Sequence, residues 1–253
     1  MSLNIGNNLK TVQAGFTLIE LAVVLVIIGI LVSGFIGTLS SRIDTSRQIE
    51  TTEALKSIKV SLYGFAMAKL NPLGVARLPC PDIDNDGLED FNPLNLAQCA
   101  VLTTYGNLPW ATLGIERGDA WSSTYSYWVA NEYSSTAGFA LATDASGTGQ
   151  IRAATPAGNV ISSNVAAVIF SHGKNQYGSI GMDNSVRAGV PANTPGSSYD
   201  DERENQDTDA AAPVLFISRS VTGDDAPIVY DDILTWISEY ELKGRMAQAG
   251  ALP

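Results

Sequence analysis

The sequence predicts an α+β protein, in which one long N-terminal helix packs on an antiparallel β-sheet domain that ends in a C-terminal helix. Three features of the 253 residues predict this fold. A single long apolar run lies near the start, and apolar spacing of helical period continues behind it. After Pro72, short runs of β-branched and aromatic residues alternate with clusters of Gly, Asn, Asp and Ser, which is typical of strands and turns.

The first part of the predicted helix, residues 16–36, can span a membrane. It carries a single charge, Glu20, and ~20 apolar helical residues cover a bilayer core of ~30 Å. A carboxylate inside such a run is costly and indicates a function. An ordinary secretory signal peptide and a plain uncleaved anchor are the alternatives. The run is longer than the roughly 7–15 apolar residues of a secretory signal, and Lys10 is the only charge before it.

The second part of the predicted helix continues to about residue 70, so that the whole helix covers residues 16–70. Apolar residues recur there at steps of three and four, which is the period of an amphipathic helix. They are Leu55, Ile58, Leu62 and Phe65. Asn71-Pro72 predicts the end of the helix, because the residue before a proline avoids helical backbone. Residues 71–253 then form the globular domain.

The 71–253 domain is predicted to contain four strands and a C-terminal helix. The strands are expected at 125–129, 138–143, 165–170 and 214–218, a hairpin turn at 144–149 and a long acidic loop at 183–213. The helix is predicted at 231–249 on the spacing of its apolar residues. Asp231 or Asp232 is expected as its N-cap, and Gly250 as its C-cap.

Alternate carboxylates at Asp82, Asp84 and Asp86, followed by Gly87, resemble the first half of a calcium loop. Ca2+ takes oxygen ligands, and a glycine at the sixth position allows a sharp turn. The expected ligands are Asp82, Asp84, Asp86, the Leu88 carbonyl and Asp90. Pro93 stands where an EF-hand has its bidentate glutamate, so the loop is not an EF-hand. The alternative is an acidic turn exposed to solvent.

Other residue types give no catalytic or nucleic-acid signal. His172 is the only histidine, and no Gly-x-Ser-x-Gly elbow accompanies it, so a structural role is predicted for this residue. The net charge of −11 argues against nucleic-acid binding through a broad basic surface. The four tryptophans are interpreted as core or domain-seam residues.

Residues 15–20 read Gly-Phe-Thr-Leu-Ile-Glu, between a short polar leader and the apolar run. This segment resembles the class III signal of type IV pilins and type II secretion pseudopilins. The resemblance implies that prepilin peptidase cuts between Gly15 and Phe16, removes the leader 1–15 and methylates Phe16. It also implies a pilin-like fold, and assembly in which Glu20 pairs with the α-amine of Phe16 on a neighbouring subunit.

The same resemblance implies a location and partners. The chain is expected as a single-pass protein of the inner membrane of a Gram-negative cell, with its C-terminal domain in the periplasm, and then in a periplasmic or cell-surface filament. The expected partners are identical or homologous pilin subunits, prepilin peptidase, the inner-membrane assembly platform, and membrane lipid before assembly. Several members of this family are also stabilised by calcium bound in a loop.

The two cysteines, in an exported protein, favour a disulfide between Cys80 and Cys99. Two free buried thiols are the alternative.

The predicted function is that of a structural subunit of a type IV pilus or a type II secretion pseudopilus, and the size of the chain favours a minor one. Residues 77–82, 108–114 and 171–175 also resemble, more loosely, large prepilin-type proteins without an assigned activity. Two alternatives use the same anchor. A filament-tip adhesive module needs an exposed apolar or aromatic patch, and a membrane-anchored enzyme needs a concave site with perturbed acid and base groups.

Overall fold

The computed structural model describes residues 15, 17–68, 75–100, 105–144, 148–155, 158–206, 213–223 and 226–252. The chain divides into two compact units, Met1–Thr45 and Ser46–Pro253. The helices are α1 Leu18–Ala68, α2 Trp110–Leu113, α3 Asn131–Ser134, α4 Asp200–Gln206 and α5 Glu239–Gln248. The strands are β1 Phe91–Asn92, β2 Asn95–Cys99, β3 Tyr105–Asn107, β4 Ser126–Val129, β5 Gly149–Arg152, β6 Val160–Ser163, β7 Val165–Ser171, β8 Val214–Ile217 and β9 Ile233–Ser238.

The long N-terminal helix is present as α1. Its bounds, Leu18 and Ala68, lie inside the predicted range 16–70; Thr17 precedes the helix, and residues 16, 69 and 70 fall outside the described residues. Within the described part of the chain, no helix meets the length and hydropathy required of a membrane span.

The C-terminal part of α1 contributes one apolar stripe to the core of the second unit. Leu55, Ile58 and Leu62 are buried there with the side chains of the main sheet, as their spacing predicted, and Phe65 is also buried. Burying such a side chain contributes about 1.5–3 kcal/mol relative to leaving it in water. Lys59, on the flank of the stripe, forms an ion pair of 2.8 Å with Glu241 of α5.

The main sheet has four strands in the order β3-β4-β7-β9, and all its pairs are antiparallel. Its third member, β7, is buried along its whole length, which explains the uninterrupted apolar run from 165 to 170. A second sheet has the order β6-β5-β8. Its β5–β8 pair is parallel, so the predicted antiparallel arrangement holds for most strand pairs but not for this one. The predicted strands at 125–129, 165–170 and 214–218 are confirmed as β4, β7 and β8.

The strand predicted at 138–143 is wrong. Gly138 has φ +76°, and the segment forms turns in which the Thr143 N–H donates to the Ala140 carbonyl at 3.0 Å. Phe139 is nevertheless buried, because its ring packs edge-on against Tyr133 at 4.9 Å. The apolar residues of this segment therefore anchor a loop. The hairpin turn predicted at 144–149 lies largely outside the described residues, at 145–147.

The helix predicted at 231–249 is wrong in its first eight residues. Residues 233–238 form β9, which pairs with β7, and the helix α5 begins only at Glu239. Ser238 caps α5, because its hydroxyl accepts the Glu241 N–H at 3.2 Å. Gly250, with φ +65°, ends the helix as predicted: it closes a Schellman motif in which Ala251 N–H donates to Met246 at 2.9 Å.

The acidic segment predicted as a long loop at 183–213 also contains the short helix α4. Its first turn carries three acidic residues, an arrangement that the helix dipole favours. Residues 207–212 of the segment lie outside the described part of the chain.

Candidate functional site: the N-terminal motif and the acidic loop

The first turn of α1 is held by a capping box. Thr17 precedes the helix, and its N–H donates to Glu20 Oε2 at 2.9 Å, while Glu20 N–H donates to Thr17 Oγ1 at 3.3 Å. The Thr17 hydroxyl also donates to the same carboxylate at 2.8 Å. Two of the otherwise unpaired N–H groups at the helix start are thereby satisfied. Glu20 therefore has a local structural role that the sequence argument did not assign.

The predicted cleavage site lies directly before this capping box. Gly15 is exposed, and no heavy atom lies within 4 Å of the position that a side chain would take there. Phe16 lies outside the described residues. Cleavage and methylation therefore stay predictions.

The N-terminal part of α1 exposes apolar side chains all around the helix. Between Leu18, which is 88% exposed, and Val32, which is 51% exposed, the large apolar side chains are exposed at every turn. They are Leu18, Ile19, Leu21, Val23, Val24, Leu25, Val26, Ile27, Ile28, Ile30, Leu31 and Val32. A helix that is apolar all around requires an apolar surrounding.

The acidic loop brings three of its predicted ligands together. Asp82, Asp84 and Asp86 each offer a carboxylate oxygen within 4.8 Å of the other two. Asp82 is buried, whereas the other two are exposed. Such a spacing suits a hard cation that takes oxygen ligands at 2.3–2.6 Å in the case of Ca2+.

Backbone N–H groups hold these carboxylates in place. Asp82 accepts the Asn85 N–H at 2.7 Å on one oxygen and the Gly87 N–H at 2.9 Å on the other. Asp84 accepts the Asp86 N–H at 3.1 Å, and Asp86 in turn accepts the Leu88 N–H at 2.7 Å. Each carboxylate oxygen can accept more than one bond, so the arrangement leaves lone pairs for a cation.

Burial raises the pKa of Asp82, and the neighbouring charges of Asp90 and Asp86 raise it further, while the bonds from Gly87 and Asn85 lower it. A bound cation would neutralise this buried carboxylate. The residues present therefore fit Ca2+.

The two remaining predicted ligands differ from this group. Asp90 is not among the three carboxylates that converge, and its Oδ2 accepts the Ile83 N–H at 2.6 Å, which closes the loop. Leu88 has an exposed side chain, and its N–H is bonded to Asp86. The role of the Leu88 carbonyl as a ligand stays a prediction.

Gly87 is required by the geometry of the loop. Its φ is +88°, and a Cβ there would lie 2.3 Å from Cε2 of Trp110. Its carbonyl accepts N–H bonds from Ala111 at 2.9 Å and from Thr112 at 3.1 Å, at the start of α2. The close approach gives Trp110 a structural role, although this residue is only half-buried. Trp121 and Trp128 are buried, as predicted for core tryptophans.

An ion pair that the sequence argument missed fixes the far end of the loop. Arg77 is fully buried, and its two Nη atoms contact the two carboxylate oxygens of Glu89 at 2.7 and 2.6 Å. The guanidinium also lies over the rings of Phe65, at 5.4 Å, and Phe91, at 5.0 Å. No local spacing in the sequence signals this pair, because its partners are brought together only by the fold.

The predicted disulfide is present. Cys80 and Cys99 are bonded, with 19 residues of separation and a Cα–Cα distance of 5.2 Å. The Cys80 N–H also donates to Glu89 Oε2 at 3.1 Å. The bridge therefore joins β2, which follows the acidic loop, to Cys80, which precedes it.

His172 lies in the core, which fits its predicted structural role. Its Nε2 is 2.7 Å from the hydroxyl of Ser126, and burial lowers its pKa to about 4. The neighbouring Ser171 donates instead to Asp119 at 2.5 Å, and both are buried. The serine, histidine and carboxylate thus form two separate pairs and not a relay.

The comparison with protein families finds one match, the prokaryotic N-terminal methylation motif, at residues 10–36. The chain carries a class III signal peptide. This segment, found in type IV pilins and pseudopilins, implies processing by prepilin peptidase, anchoring in a membrane and assembly with other pilin subunits. It favours a structural, non-enzymatic protein. Neither the curated proteins nor the solved structures yield a match.

Proposed function

We propose that this protein is a minor structural subunit of a type IV pilus or a type II secretion pseudopilus. It is anchored in the inner membrane by the N-terminal part of α1, with its domain in the periplasm, and then enters the filament through the same helix. The observation that carries this proposal is the run of exposed apolar side chains on α1 directly behind the methylation motif. Lipid covers this surface before assembly, and the helices of other subunits cover it afterwards.

In this proposal, processing creates the group that guides assembly. Cleavage after Gly15 makes the α-amine of Phe16 the new N-terminus. That cation pairs with Glu20 of a neighbouring subunit among apolar helices. Because an unpaired charge in such a surrounding is costly, only the register that pairs every Glu20 is stable.

The processing step is tested by the intact mass of the protein recovered from the cell envelope. We expect the mass of residues 16–253 with one additional methyl group. A mature chain that begins at Met1, or one that begins near residue 34, would contradict the proposal.

The role of Glu20 is tested with two substitutions that separate its two interactions. Glu20→Ala removes both the charge and the capping bond, whereas Glu20→Gln removes the charge and keeps a side chain suited to the third position of a capping box. We expect both variants to be inserted and cleaved but to enter few filaments. Glu53→Ala, which removes an exposed carboxylate on the same helix, is the matched control and assembles normally. If Glu20→Gln assembles as well as the wild type, the carboxylate acts through the helix cap and the pairing is refuted.

We further propose that the acidic loop binds one Ca2+ through Asp82, Asp84 and Asp86. Three carboxylates within 4.8 Å of one another repel until a cation joins them. A ligand that binds only the folded state at a hundred times its Kd stabilises that state by about 2.7 kcal/mol. For a domain of this size, that is a rise in Tm of about 5–10 °C.

The test is a set of thermal melts of the full chain in detergent, with Ca2+ and with a chelator. We expect Ca2+ to raise Tm in the wild type and Asp84→Ala to lose part of that response. Asp183→Ala is the matched control, because Asp183 is an exposed aspartate that also holds a turn, by accepting from Ser185. Equal responses of the wild type and of Asp84→Ala would refute the loop as a Ca2+ site.

A further inference from the structure

A second cluster of carboxylates lies inside the domain, away from the acidic loop in sequence. Glu202 of α4 and the adjacent pair Asp231 and Asp232 before β9 each offer an oxygen within 4.8 Å of the others. Their exposed fractions are 1%, 7% and 3%. Charged carboxylates are rarely buried to this degree without a compensating group, so the cluster requires a neutralising partner.

Neutral donors hold the three side chains in their positions. Asn175 donates through its N–H to Asp231 Oδ2 at 2.7 Å and through Nδ2 to Glu202 Oε1 at 2.8 Å. The Asp231 N–H also donates to Glu202 Oε1, at 3.0 Å, and Asn205 Nδ2 donates to Asp232 Oδ2 at 2.8 Å. These bonds orient the carboxylates.

A buried carboxylate oxygen of the cluster makes no hydrogen bond. Asp231 Oδ1 is buried and makes no hydrogen bond among the described residues. A buried acceptor without a partner costs about 1–3 kcal/mol, and more when it is charged. In native structures such atoms are rare and call for an ion or a water. This atom is independent of the spacing of the three carboxylates and points to a ligand.

A cation beside the cluster is already paired. Arg219 forms its ion pair with Asp201, the residue before Glu202. Burial raises the pKa of Asp231 to about 8 and that of Asp232 well above its ordinary value, and the charge of Glu202 raises both further.

A cavity lies beside Asp232. Its volume is about 240 Å3, and its lining includes Gln48, Thr52, Ser218 and Arg219 together with Asp232. The space is large enough for several waters, each of which needs about 30 Å3.

We propose that Glu202, Asp231 and Asp232 form a buried cation site that takes Ca2+. Carboxylate and water oxygens suit a hard cation and not a soft one. Ca2+ accepts irregular geometry with six to eight oxygen ligands, whereas Mg2+ demands a near-ideal octahedron. Bound there, the ion joins α4 to the segment that leads into β9, and so ties the acidic 183–213 region to the main sheet.

The test is the number of Ca2+ ions bound by the full chain in detergent at pH 7.5, measured by equilibrium dialysis. We expect two ions for the wild type, one for Asp84→Ala and one for Asp231→Asn. Asparagine keeps an oxygen that can accept from Asn175 and removes only the charge. Asp183→Ala, outside both sites, is expected to retain two.

The outcomes separate this site from the acidic loop. If Asp84→Ala binds no Ca2+, or if Asp231→Asn and Glu202→Gln both bind as much as the wild type, the buried site is refuted and protons balance the cluster. If the wild type binds one ion that Asp84→Ala keeps and Asp231→Asn loses, the buried site is supported and the loop site is refuted. If Asp231→Asn does not fold, Glu202→Gln takes its place, and the count for Asp84→Ala alone can still refute the proposal.

Discussion

Replacement of Arg77 by methionine is predicted to destabilise the domain strongly, because it breaks an ion pair that is withdrawn from water. The arginine side chain is 0% exposed and that of Glu89 is 13% exposed. Removing one partner of a buried pair costs about 3–5 kcal/mol, since the other charge is left uncompensated. The substitution also removes Arg77 Nε, which is buried without a hydrogen-bond partner. Its removal raises the free energy of unfolding by about 1 kcal/mol.

We therefore expect Arg77→Met to lower the free energy of unfolding by about 2–4 kcal/mol. For a domain of 150–250 residues, 1 kcal/mol corresponds to about 2–4 °C in Tm, so Tm should fall by roughly 4–16 °C. The assay is thermal unfolding of the full chain in detergent with the disulfide intact, followed by tryptophan fluorescence. Arg203→Met is the matched control: its pair with Asp200 is exposed on both sides, and such pairs are worth about 0–1 kcal/mol.

A double-mutant cycle with Glu89→Leu shows whether the loss comes from the pair itself. The variant that carries both substitutions has no buried charge at this point, and apolar replacement of a whole buried pair is often neutral. We therefore expect it to be more stable than the sum of the two single losses predicts, by more than about 1 kcal/mol. Additive losses, or a change in Tm below about 2 °C for Arg77→Met, would refute the assignment of Arg77 as the anchor of the acidic loop.

Two further predictions concern a glycine and a histidine. Gly87→Ala should destabilise the domain by about 1–3 kcal/mol and weaken Ca2+ binding, because its Cβ meets Trp110; Gly114→Ala, with a similar φ of +66° but open space around it, should cost less, and equal Tm losses would exclude the clash as the cause. Protonation of His172 should destabilise the fold as pH falls from 6.5 to 4, because the unfolded ring takes up its proton near 6.5 and the buried ring only near a pKa of about 4. The full effect is roughly 3 kcal/mol. The measurement is the change in Tm between pH 7 and pH 4.5, compared between the wild type and His172→Asn. The comparison is needed because Asp231, whose pKa is raised, stabilises the fold as pH falls and so opposes the effect of His172.

The features that the sequence predicted correctly depend on short-range patterns. The helix α1 is fixed by a long apolar run followed by a stripe of period 3.6, and β7 by consecutive β-branched and apolar residues. The disulfide followed from the number of cysteines and the compartment, without knowledge of the fold. Asp82, Asp84 and Asp86 also converge within a single short loop, so their proximity depends on local sequence.

The error at 231–249 shows where such patterns are ambiguous. Ile233, Leu234 and Ile237 fit a helical spacing, but Ile233, Thr235 and Ile237 are β-branched residues at a spacing of two, which is the period of a strand. The strand is formed because β7 offers an edge with which residues 233–238 pair. A segment of six residues carries too few positions to separate the two periods, and the tertiary partner decides.

The interactions that could not be predicted join residues distant in the chain. Arg77 and Glu89 meet only when the loop folds back on the end of α1, and Glu202 reaches Asp231 only through the packing of α4. The sequence had singled out the acidic run around 200, but it gave no reason to connect that run with Asp231, which was interpreted as a helix cap. Such pairings depend on the topology of the fold and cannot be predicted from the spacing of residues in the sequence.

What neutralises each buried or crowded carboxylate indicates its role. Glu89 is neutralised by Arg77 within the same chain, so it needs no external ligand and acts in stability. Glu20 is bonded to its own helix start, but that bond is made by neutral donors and leaves the charge in place for a cation among apolar helices. Asp231 has neutral donors on one oxygen and none on the other. The two proposals made above therefore give these carboxylates a partner from outside the subunit: an α-amine for Glu20, and a metal ion for Asp231.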